Sequence, residues 1–63
     1  MTAIIDEPHL YEVRRDGRVI AIAVQPPDGI WRSAAINPAQ IKRHARREDA
    51  VQAARLAAGV FDA

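Results

Sequence analysis

RRDGRVIAIAVQPP, Arg14 to Pro27, decides how this chain folds. Asp16-Gly17 lies between two β-rich runs. A type I′ turn needs positive φ at both central residues, and Asp-Gly supplies it at low steric cost. With these two residues as the turn, register follows. Arg15 faces Arg18, Arg14 faces Val19, Val13 faces Ile20, Glu12 faces Ala21 and Tyr11 faces Ile22. One hairpin face then collects Tyr11, Val13, Ile20, Ile22 and Val24, and the other Glu12, Arg14, Val19, Ala21 and Ala23. The bulky face is the expected core, because strand side chains alternate with period two.

Working outward, PPDG at Pro26–Gly29 is a second turn signal, and two prolines that cannot donate to a ladder end the strand near Gln25. GIWRSAAI reads as a third strand. A four-residue loop sends Trp31, Ser33 and Ala35 to the core face, and Ile30, Arg32, Ala34 and Ile36 to the other. Asn37-Pro38 breaks the pattern. QIKRHA is then a short extra strand or an irregular link, and a helix starts near Arg47. Glu48 and Asp49 sit where a first helical turn favours negative charge. After them apolar residues recur at three and four: Ala50, Ala53, Ala54, Ala57, Val60 and Phe61. A helix from Pro38 to about Gly59 is the competing reading. The expected fold is α+β: a three-stranded or four-stranded antiparallel meander with one C-terminal helix on one face. Residues 1–8 read as a flexible lead-in and 9–61 as a single small domain.

The chain has 63 residues and no cysteine. A domain this small buries only ~60% of its unfolded surface, and no disulfide can staple it. Two histidines without cysteine make poor material for structural zinc. No apolar run approaches the ~20 residues of a membrane span, and MTAIIDEPH lacks the basic flank and apolar core of a signal peptide. A cytoplasmic location is expected. Alanine and arginine usage suggests a GC-rich bacterial or phage genome.

Net charge is +1, unevenly spread. Leu10 to Arg47 carries eight bases against three acids, while the ends are acidic. Arg14, Arg15 and Arg18 surround the hairpin tip; Lys42, Arg43, Arg46 and Arg47 form a second basic run. These seven are the candidate nucleic-acid contacts. Against that role stand the near-neutral total, the acids among them, and three aromatics all assigned to the core rather than to base stacking. Val19, Ala21, Ala23, Ile30, Arg32 and Ala34, on the face no second helix can cover, are the candidate interface for another copy or another protein.

No catalytic constellation is present. His9 and His44 lie far apart and are expected to face solvent. Ser33 reads as a small residue beside Trp31, and the phosphate-binding and zinc-protease motifs are absent. A non-enzymatic protein with no cofactor and no metal is expected, acting by binding and self-associating through its sheet. A nucleic-acid-associated regulator is the alternative.

The hairpin, the third strand and REDAVQAARLAA together resemble small bacterial and phage strand-strand-strand-helix domains. HicB-like antitoxins place a T-x-E-E-A-x-x-A helix after a short sheet, and Arg46-Arg47-Glu48-Asp49-Ala50 occupies the matching position, without the threonine cap. The likeness spans Leu10 to Ala58. It implies the same architecture and an antitoxin-like binding role. Pro26, Pro27 and Gly29 come before the third strand, earlier than the proline-glycine loop of that family.

Overall fold

The computed structural model describes residues 1–36 and 39–59. The expected break at Asn37-Pro38 and the helix contacts Val60 and Phe61 lie outside the described residues. Five strands, β1 (Thr2–Glu7), β2 (Leu10–Arg15), β3 (Arg18–Val24), β4 (Trp31–Ile36) and β5 (Ala39–His44), precede one helix, α1 (Arg47–Ala57). The strands form one antiparallel meander in chain order.

The α+β class, the Asp16-Gly17 hairpin and the helix start agree with expectation. Asp16 has φ 53° and Gly17 φ 82°, the paired positive values of a type I′ turn. The strand count is higher. The stretch 1–8 is not a flexible lead-in: Thr2–Glu7 pairs along the whole of β2, from Thr2↔Arg15 to Glu7↔Leu10. Pro8-His9 makes the connecting turn, and the amino terminus is fastened by a 2.8 Å bond to the Asp16 carboxylate. Of the two readings of residues 39–44, the strand is the one found, paired to β4 from Trp31↔His44 to Ile36↔Ala39.

The main correction concerns which face is inside. Pairing starts as expected, Arg15↔Arg18 and Arg14↔Val19, and then shifts: Val13 faces Ala21, Glu12 faces Ile22 and Tyr11 faces Ala23. Ile20 is the extra residue of a β-bulge. Two residues of the bulged strand oppose one on the partner, and the remainder of β3 is reversed relative to β2. Ala21 and Ala23 therefore join Tyr11 and Val13 in the core, at 1% and 0% exposure. Ile22 and Val24, expected inside, point to the opposite face and are half-buried. The β3–β4 loop is also offset by one residue, with Val24 facing Arg32 rather than Trp31. The two shifts compensate, so Trp31 and Ser33 reach the core as expected.

The helix explains why the small residues belong inside. Ala50, Ala54 and Ala58, spaced by four, are all buried. An alanine stripe lets a helix approach closely only where the sheet below is also small, and Ala21 and Ala23 provide that floor. Tyr11, Val13 and Trp31 fill the flanks. Two arginines pin the helix ends. Arg47 ion-pairs with Asp6, donates to the Glu7 carbonyl at 3.1 Å and stacks 5.8 Å from the centre of the Trp31 ring. Arg15 donates to the Ala58 carbonyl at 3.2 Å, at the end where helix carbonyls lack partners. Arg46 takes the N-cap position without a side-chain cap, so Glu48 and Asp49 are left to complement the helix dipole.

Candidate functional site: the open face of the sheet

Among the described residues no element covers the face opposite α1. Register places Ile5, Glu12, Ile22, Ala34 and Ile41 in one row across all five strands. Beside it run Glu7, Leu10, Val24, Arg32 and Arg43. Val19 and Ile36 extend the apolar area toward the hairpin end, and Ile36 and Ile41 are 64% and 78% exposed. Most of the larger aliphatic side chains of the sheet thus face outward, and among the described residues Val13 is the largest fully buried side chain.

Charges on this face are arranged in pairs. Arg14 donates to Glu12 at 3.0 Å. Arg32 donates to Asp28 at 2.8 Å, and Asp28 also accepts the Ile30 amide at 2.9 Å. The Ile30 amide bond first, and then Arg32, holds the Asp28 carboxyl below its ordinary value of 3.8. Arg43 lies opposite Arg32 and adds to this effect. Solvent screening keeps the Arg32–Asp28 pair weak.

Of the expected interface residues, Val19, Arg32 and Ala34 lie on the open face, and exposed Ile30 immediately precedes β4. Ala21 and Ala23 do not belong to it; the bulge turns them under the helix. Ile5, Leu10, Ile22, Val24, Ile36 and Ile41 take part instead. A one-residue bulge leaves no mark on composition or periodicity. The usable signal was indirect: an alanine-faced helix calls for an alanine-faced strand.

The basic residues are not brought together. Arg15 and Arg18 sit at the hairpin end, while Arg43, Arg46 and Arg47 lie at the opposite end, about 20 Å away by strand length. Arg14 and Arg43 face the open side, Lys42 the helix side. Arg46 pairs with Glu48 at 3.2 Å, and Arg15 and Arg47 are committed to the helix ends.

One contact departs from the expected histidine environment. His44 is half-buried, and its Nε2 shares a 2.7 Å hydrogen bond with the buried Ser33 Oγ. No carboxylate bonds His44 among the described residues, and the bond satisfies a hydroxyl that the core would otherwise strand. His9 is exposed as expected and shares a 2.7 Å bond with the Gln25 side chain. No group of metal-binding side chains occurs among the described residues, and no helix among them is long and apolar enough to cross a membrane.

Comparison with known proteins finds no match: neither a family model, nor a curated protein, nor a solved structure.

Proposed function

We propose that this protein is a small non-enzymatic interaction module, of bacterial or phage type, that acts by binding and pairs with a second copy of itself through the open face. The supporting observation is the distribution of its aliphatic side chains. Ile5, Leu10, Val19, Ile22, Val24, Ala34, Ile36 and Ile41 share a face that no element among the described residues covers. Strand spacing and rise give that face a flat footprint on the order of 500 Å². This is at the upper end of apolar patches on monomers, ~300–600 Å². Side-chain relief brings it toward the ~800 Å² that each partner buries in a standard interface. A second copy suits it electrostatically. Glu7, Glu12 and Asp28 balance Arg14, Arg32 and Arg43, so two such faces meet without net repulsion.

Sedimentation of the full chain tests this reading. The wild-type protein is expected to have dimer mass, insensitive to salt. Ile22→Glu is expected to retain its circular dichroism and sediment as a monomer. A wild-type monomer at high micromolar concentration overturns it. The alternative, an antitoxin-like regulator that contacts nucleic acid through its arginines, draws on the basic middle of the chain and the likeness at residues 46–50. Separation of those arginines to two ends of the sheet weighs against a single phosphate-binding surface. Steep loss of DNA or RNA affinity with rising salt is the behaviour that favours it.

A further inference from the structure

A second surface lies at the edge of the sheet, where β5 borders the open face. Among the described residues β5 has β4 as its only strand neighbour, so outward-pointing backbone N–H and C=O groups along it have no strand there to pair with. Ala39 through Arg43 are all exposed. Beside this edge α1 lies over β3 and β4 and leaves a groove of about 300 Å³, with Ser33 and Ala35 on its floor, Gln40 and Lys42 along β5, and Ala53 and Leu56 on the helix wall. Leu56 is 55% exposed there, although it is the helix's largest apolar side chain among the described residues.

The charge of this edge has one sign. Lys42 points to the groove side and Arg43 to the open side, so both faces of β5 are positive. No acid occurs between Gly29 and Arg47. Pairing of β5 with β5 of a second copy would bring these cations together, and lysine on an edge strand discourages such pairing. An acidic strand meets no such barrier.

We propose that β5 is the acceptor edge for an extended acidic segment of a partner protein. The segment adds as a sixth strand and sets an aliphatic side chain against Leu56 and Ala53. Main-chain hydrogen bonds to the edge supply affinity. The groove and the two cations select the sequence, as in other strand-addition complexes.

The probe is a synthetic peptide of about eight residues, alternating aliphatic and acidic, long enough to pair with all of β5. It is titrated into the ¹⁵N-labelled full chain at low and high salt. The expected result is amide shifts confined to residues 39–44 and the Leu56 turn, with slowed hydrogen exchange on β5. Affinity is expected to fall about tenfold or more in the Lys42→Glu, Arg43→Glu double variant and with added salt. A peptide with lysine in place of each acid is expected not to bind. Both substituted side chains are exposed, and circular dichroism verifies that the variant folds. Three results overturn the proposal: no β5 shift at millimolar peptide, undiminished binding by the double variant, or concentration-dependent β5 shifts without peptide that persist in the Ile22→Glu variant, which would assign the edge to a second copy. Dimerisation through the open face reads out at Ile22 and Val24, so the two readings fail separately.

Discussion

The two faces of this sheet are built from opposite materials. The helix-covered face is floored by alanines and a serine and flanked by Tyr11, Val13 and Trp31. The open face holds Val19, Ile22 and Val24 of β3, Ile36 of β4 and Ile41 of β5. An isolated domain gains most by burying its largest apolar groups, at ~25 cal/mol per Å², and this one leaves many of them outside. The difference teaches that core membership here is set by the helix. An alanine stripe at close range excludes bulky partners, and the displaced aliphatics are left on the open face.

Neighbouring residues on β3 offer the sharpest way to break this comparison. Ala23→Asp places an unpaired carboxylate beneath the helix and is expected to unfold the domain, because a buried charge without a partner costs several kcal/mol. Ile22→Asp, one residue away, is expected to stay folded and lose only self-association. Urea titration with far-ultraviolet circular dichroism distinguishes them, and equal behaviour would mean that the faces are misassigned. Next in size, Trp31→Ala removes the largest core side chain and is expected to cost ~3–5 kcal/mol, a substantial part of the ~5–15 kcal/mol typical of whole domains. Ile36→Ala on the open face is expected to shift the denaturation midpoint of a dilute, monomeric sample only slightly.

Smaller effects sharpen the picture of how the helix is attached. Arg47→Ala removes the Asp6 pair and the stacking on Trp31. It is expected to cost ~1 kcal/mol, less at high salt. Thermal melts at two ionic strengths check this. The smallest effect is at Asp28. Its folded-state pKa lies below the ordinary value of 3.8, so the stabilisation it brings is complete above that value and is lost as pH falls through the lower folded value. Asp28→Asn is expected to lower stability slightly at neutral pH, where the carboxylate's contribution is complete, and to flatten the acid limb of the stability curve below about pH 4. Acid titrations of both proteins, followed by circular dichroism, test the sign.

By itself the sequence determined the elements that depend on local chemistry. Asp16-Gly17 fixed a type I′ hairpin, since few residue pairs accept positive φ twice. Glu48-Asp49 and the alanine spacing fixed where the helix starts and which stripe it buries. The absence of cysteine, and with it of any disulfide, was also readable. Strand β1 was less legible, because TAIIDE is short and becomes a strand only when β2 offers it a ladder. Tertiary structure alone decided the orientation of β3. Whether Ile20 pairs or bulges is a difference of one residue, with little local energy either way. It is settled by the helix, whose alanines fit against Ala21 and Ala23 and not against Ile22 and Val24. Because side chains alternate with period two, that single non-local choice moved Ile22 and Val24 from the expected core to the open face and brought Ala21 and Ala23 beneath the helix.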